Sequence, residues 1–161
     1  MELKILNSKE TKQLLKVIEM QWGSMLSEEF ANFGFLKNKE NDIFVITRSI
    51  SEIDFSRLRI NTAGMYLGEI KDGRLRLSIE GSQIIGKNAN KNVLEVDYER
   101  CEKWTKGEDI ELKDEEKASA GKELSGFVII KYEDNFLGSG KLKDNRIINF
   151  VPKIRRVKEL A

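Results

Sequence analysis

The sequence predicts an α+β protein in two parts, an N-terminal α/β domain over residues 1–90 and a small β-barrel over residues 91–161 with one helix covering an end. Three observations lead there. Near the start, Leu14, Leu15, Ile18 and Trp22 recur at helical spacing. In "RLRLSI", Leu75, Leu77 and Ile79 alternate with Arg74, Arg76 and Ser78, the period of a half-buried strand. Towards the end, three apolar runs, "GFVIIKY", "FLGSGKL" and "RIINFV", are joined only by "EDN" and "KDN" turns.

Taken in order, "NSKETKQLLKVIEMQWG" opens on Asn7 with Glu10 three residues later, a pair able to form a capping box, and Gly23 is a suitable stop. The stripe of apolar residues between them reads as core. "MLSEEFANFGFLKNKEND" has no clean period and is left as a loose segment or short helical continuation ahead of a polar turn at Asn38–Asn41. "DIFVITRSI" is short, apolar and β-branched, as in a buried strand, and "SEIDFSRLR" has the cap and spacing of a short helix. "AGMYLGEI" and "RLRLSIEG" form a hairpin turned by Asp72-Gly73. "SQIIGKNANKN" is a short apolar element that fades into a polar stretch near Asn90, where the boundary is placed. "NVLEVDYERCEKWTKGEDIEL" then reads as a strand, a helix from Tyr98 to Trp104, a glycine stop at Gly107 and a second short strand. "KDEEKASAGKE" reads as a hydrophilic loop.

Composition removes whole classes of chemistry. The 161-residue chain has no histidine and one cysteine, Cys101, so an internal disulfide and the commonest histidine-based metal and general-base sites are excluded. No metal or cofactor is expected. The start of the sequence lacks the apolar core of a signal peptide, and no run reaches the roughly 18 apolar residues of a membrane span, so a cytoplasmic protein without membrane contact is expected. The 34% charged fraction fits a thermophilic source as well as ordinary solubility. Asp114, Glu115 and Glu116 read as solvated loop carboxylates rather than a catalytic pair.

The net charge of +1 is unevenly spread. From Leu137 onward seven cations face two carboxylates, a net +5, which leaves −4 on the remainder. A basic tail on an acidic body is what a polyanion-binding surface requires, although basic tails are also often only solvated. Gly138 and Gly140 suit close approach of another backbone, RNA or protein, and equally a bulge or barrel corner. Pro152 should end its strand and aim the cations beyond it, with alternation sending Lys153 and Arg155 to one face and Arg156 to the other. Trp104 reads as core more simply than as a base-stacking platform, and Cys101 as a small buried residue. Arg74 and Arg76 share the hairpin's outer face, where a solvated strand is the plainer reading.

"GFVIIKYEDNFLGSGKLKDNRIINFVPKIRR" resembles the C-terminal PUA-like domain of RsmF-type RNA cytosine methyltransferases, which run from a strand through an "lGwGK"-like turn to an "lkNhlPk…lR"-like close. The likeness passes through Gly126, Leu137, Gly138, Gly140, Lys141, Asn149, Pro152, Lys153 and Arg155 or Arg156. Ser139 stands where such domains often carry an aromatic. The first half has the element order of the pre-PUA domain that precedes PUA in ribosome-biogenesis factors. No glycine-rich cofactor loop follows a strand, and Cys101 lies in a helix rather than a Pro-Cys catalytic loop.

The resemblance implies a pre-PUA-like domain followed by a PUA-like barrel, and a non-catalytic role. It implies recognition of structured ribosomal or transfer RNA, in ribosome biogenesis or as an accessory that recruits RNA to a modifying enzyme, with such an enzyme or an assembly protein as a further partner. The residues expected at the RNA are Lys106, Gly107, Gly138, Gly140, Lys141, Arg146, Asn149, Lys153, Arg155 and Arg156. The alternative is a protein–protein adaptor, in which Phe30, Phe33 and Phe35 would form an exposed patch and the basic tail would be incidental.

Overall fold

The computed structural model describes residues 2–23, 30, 33–47, 64–118 and 120–158. The first strand, β1 (Lys4–Ile5), leads into α1 (Ser8–Trp22) through Asn7. The Asn7 side chain accepts the Glu10 N–H at 2.9 Å while Glu10 accepts the Asn7 N–H at 2.9 Å, so two donors that the first turn would leave unpaired are satisfied. Gly23 closes the helix in the left-handed region at φ 67°. Leu14, Ile18 and Trp22 are buried, as their spacing predicts.

Beside them lies a five-stranded antiparallel sheet of β1, β2 (Phe33–Lys37), β3 (Asp42–Thr47), β4 (Met65–Lys71) and β5 (Arg74–Leu77), in that order. The expected hairpin is present, with Asp72-Gly73 between β4 and β5. One reading is corrected: "FGFLK" is a strand, not a helical continuation. Phe35 packs towards α1 and Leu36 towards the opposite face against Phe44 and Ile46, so both faces are apolar and the period-2 signal is lost. Phe30 and Phe35 are 4% and 1% exposed, and Phe33 packs against the same core, which removes the apolar patch an adaptor would need. The short helix expected in "SEIDFSRLR" lies outside the described residues.

The chain then forms α2 (Ile79–Gly86), capped by Ser78, whose hydroxyl accepts the Gly81 N–H at 2.9 Å. A second sheet follows in the order β6 (Val93–Glu95), β8 (Phe127–Tyr132), β9 (Asn135–Lys143), β10 (Arg146–Asn149), β7 (Ile110–Glu111). Only the β6–β8 pair is parallel. Between β6 and β7, which occupy opposite edges, runs α3 (Tyr98–Thr105). The sheet curls into a half-barrel wrapped on Trp104, which is fully buried and donates its indole N–H to the Leu137 carbonyl at 2.8 Å. Trp104 is therefore core. The stretch expected as loop contains a short helix, α4 (Asp114–Lys117), held by a two-pronged pair in which the Arg100 Nη1 and Nη2 groups each donate to a Glu116 oxygen at 2.8 Å.

Strand β8 joins the two halves. Its "FVII" is buried on both faces: Phe127 and Ile129 enter the core beneath α1, and Val128 and Ile130 enter the core around Trp104. Polar stitches reinforce this. The Gln21 amide donates to the Leu75 carbonyl at 3.0 Å and accepts its N–H at 2.7 Å, while Asn92 donates to the Gln21 carbonyl and accepts the Ser125 N–H at 2.8 Å. No helix among the described residues is long and apolar enough to cross a membrane.

Candidate functional site

The loop after α3 is built by Asn149. Its amide donates to the carbonyls of Trp104 at 2.8 Å and Glu108 at 2.9 Å, its oxygen accepts the Val151 N–H at 2.7 Å, and its own N–H donates to Asp109 Oδ1 at 2.8 Å. With every donor committed, Asn149 has no N–H to offer an RNA; it fixes the 104–109 turn to the end of β10. Gly107 ends α3 at φ 94°, and Arg156 packs where a Cβ would stand, its Nε donating to the Val151 carbonyl at 3.1 Å. Lys106 pairs with Glu102 at 2.9 Å. The structure thus brings Lys106, Gly107, Asn149 and Arg156 together, chiefly as an internally bonded corner.

Gly138 and Gly140 are both buried, which fits the tight barrel corner that their sequence context allows beside a close approach to RNA. Gly138, at φ 100°, donates its N–H to Ser82 Oγ at 2.8 Å. A Cβ on Gly140 would meet the carbonyl oxygen of Ile148 and the Trp104 ring, so this glycine lets β9 and β10 close over the tryptophan. Ser139, between them, donates its hydroxyl to the Leu77 carbonyl at 2.9 Å and is 3% exposed. Where an aromatic would be expected from the resemblance, this chain has a residue small enough for β9 to abut the first half.

The tail beyond Pro152 is a 3-10 turn at Lys153–Arg155, not an extended strand, so strict alternation does not apply. Strand β10 stops at Asn149, ahead of the proline, because the Asn149 side chain takes over the next backbone donor at Val151. Arg155 Nη1 donates to Glu80 Oε1 at 2.6 Å. Burial pushes the Glu80 carboxyl up, but the hydrogen bond and charge of Arg155 outweigh it and leave the group below its ordinary value. Lys153 is exposed. Between these cations the side chain of Ile154 stands 92% exposed.

A different group of cations is unencumbered. In β9, Lys141 and Lys143 alternate with Leu142, which packs on the Trp104 core, so both lysines face the other way. Arg146 lies directly opposite Lys143 across the Asp144-Asn145 turn, and Phe127 lies opposite Lys141. Directly opposed residues share a face. Lys141, Lys143 and Arg146 therefore extend the face that Phe127 buries, beyond the cover of the first half, and none has an ion pair among the described residues. Across the other ladder Glu111 of β7 lies directly opposite Arg146 without closing to an ion pair, so the face carries three cations against one carboxylate and keeps a net positive charge. Lys141 and Arg146 are among the residues expected from the sequence; Lys143 is not, although its alternation with Leu142 carries the signal.

Among the described residues no group of three metal-capable side chains converges. The Cys101 thiol is raised by burial and by Glu133, away from a reactive thiolate.

The curled sheet, the helix that covers it and the Asn149-braced turn define a PUA-like domain in the C-terminal half. Residues 91–157 match the family described as the methyltransferase RsmF PUA domain. The chain is similar to the ribosomal RNA small subunit methyltransferase F of Aeromonas salmonicida, 28% identical over 134 residues that cover 80% of this chain and 26% of that protein. The enzyme of the same name from Aeromonas hydrophila is 25% identical over 148 residues, 92% of this chain and 28% of the relative, so the likeness extends into the first half. That from Psychromonas ingrahamii is 28% identical over 124 residues, 74% and 24% respectively. The chain spans about a quarter of the length of the curated relatives it matches.

Proposed function

We propose that this chain is a non-catalytic RNA-recognition module that binds structured RNA through the exposed face of its C-terminal sheet. The observation that carries the reading is the row Lys141, Lys143 and Arg146, three cations that share one face with a single opposed carboxylate, Glu111, and form no ion pair among the described residues, on a domain similar to the RsmF PUA domain. A phosphate backbone neutralises such a row and holds RNA without reading its sequence. Lys153, with the half-exposed Lys106, supplies a second, weaker contact zone at the braced turn, while Arg155 and Arg156 are held mainly by the protein itself.

The names of the relatives favour ribosomal RNA of the small subunit over transfer RNA, and a role in ribosome biogenesis or as the recruiting part of a modifying enzyme. The first half, residues 1–90, is read as a pre-PUA-like module packed on the PUA-like domain at residues 91–161, working in the cytoplasm. Filter-binding titrations against small-subunit ribosomal RNA and against transfer RNA, each at two salt concentrations, test this reading. Tighter, steeply salt-dependent binding to the ribosomal RNA is expected. Absence of binding at low salt, or partners in a pull-down that survive nuclease unchanged, would overturn it in favour of an adaptor.

A further inference from the structure

The tip of the β4–β5 hairpin and the C-terminal sheet enclose a groove of about 310 Å³, lined by Lys71 and Arg74 from the hairpin, Lys141 from β9, and Phe127 and Phe150. It belongs to neither half alone. Asp72 is the single carboxylate on its lining. Lys71, Arg74 and Lys141 are exposed, and none of their side chains has a hydrogen bond or ion pair among the described residues. The fourth cation on the wall, Arg76, is already committed: it is paired with Glu69 and its guanidinium lies 4.8 Å from the centre of the Phe150 ring.

The position of Arg74 is prepared by a glycine. Its Nη1 lies 2.5 Å from where a Cβ of Gly126 would stand, so any larger residue at 126 would expel it. Packing against that backbone limits the freedom the side chain would lose on binding an anion. The guanidinium can then present paired N–H groups to two oxygens of one phosphate, with the two lysines adding point charge. The aromatic side chains offer no open apolar floor, since Phe127 and Phe150 meet edge to face at 6.3 Å and Arg76 covers the latter. Charge complementarity therefore selects a polyanion over an apolar peptide.

We infer that this groove takes a phosphodiester of the RNA backbone, so that the bound RNA straddles both halves and the β4–β5 hairpin contributes to affinity. The inference rests on the RNA-binding reading and adds a contact from the first half to it. The groove opens onto the sheet face through Lys141, so a strand lying over Lys143 and Arg146 continues into it without leaving the protein surface.

The test uses the full chain and small-subunit ribosomal RNA titrated across a range of salt. The Lys71→Ala/Arg74→Ala double variant is compared with Lys12→Ala/Lys16→Ala, which removes the same charge from exposed positions of α1. Loss of about tenfold or more in affinity, and a log–log salt slope shallower by about one to two, is expected only for the first variant. Unchanged thermal unfolding identifies that loss as a binding effect. If the wild type binds but the two variants behave alike, the groove is not a contact and the sheet-face reading survives. If the wild type itself does not bind, both fall together. Polyglutamate that competes with RNA at equal charge, and loses that ability in the Lys71→Ala/Arg74→Ala variant, would overturn phosphate as the ligand.

Discussion

At the scale of single residues, the two glycines of "GSG" do different work from the cations that follow. Gly140 has an ordinary backbone conformation, so its requirement is spatial: the Ile148 carbonyl and Trp104 ring occupy the place of a side chain. Gly140→Val should destabilise the protein by about 3 kcal/mol or more, from overpacking against backbone that cannot step aside. Urea unfolding at equilibrium reads this, and a loss under 1 kcal/mol would contradict it. Asn149→Asp makes a sharper case. It keeps the shape and the bond to Val151 but removes two donors and sets a carboxylate against the carbonyls of Trp104 and Glu108. A cost of about 2–4 kcal/mol is expected, recovered in part at acid pH where the carboxyl protonates. Arg155→Ala, by contrast, exposes only Glu80 at the surface and should shift stability by less than about 1 kcal/mol.

Elements show which signals survive in a sequence. The capping box of α1 and the Asp72-Gly73 hairpin are local, and both are legible because each is satisfied within a few residues. Strand β2 is not, because Phe35 and Leu36 face two different cores and the pattern becomes a plain apolar run. The burial of Gly138 and Gly140 was equally invisible, since the atoms that enclose them come from Ser82, Ile148 and Trp104, distant in sequence. Likewise α4 depends on Arg100, sixteen residues before Glu116. Burial raises the Glu116 carboxyl, but the Arg100 hydrogen bonds outweigh it and the group sits below its ordinary value of 4.5. A carboxyl lowered on folding contributes stability that is fully present above that value and is lost as pH falls through the folded pKa. Glu116→Gln should therefore lower stability at pH 7, by about 1–3 kcal/mol for a largely buried pair, with the difference from wild type shrinking below pH 4. A pH-independent difference in unfolding midpoint would rule this out.

For the whole molecule, the shared strand β8 ties the two halves energetically, as Phe127 and Ile129 serve one core while Val128 and Ile130 serve the other. Unfolding should be a single cooperative transition; Ile129→Ala, which opens a cavity at the junction, should lower its midpoint by about 2–5 kcal/mol equivalent without splitting it in two. The charge asymmetry visible in the sequence is resolved by the fold into cations that serve the protein, Arg155 and Arg156, and cations left facing outward, Lys141, Lys143 and Arg146. Sequence position could not separate them, because the distinction depends on Glu80, Gly107 and the register of β9 with β10. The most direct test of the account is therefore the salt dependence of small-subunit ribosomal RNA binding by the wild type and by the Lys141→Ala/Lys143→Ala/Arg146→Ala variant. The proposed sheet face requires the variant to lose affinity for all RNA sequences alike and its slope to fall by about two to three, with thermal stability unchanged. Equal affinities and slopes in the two proteins would contradict it.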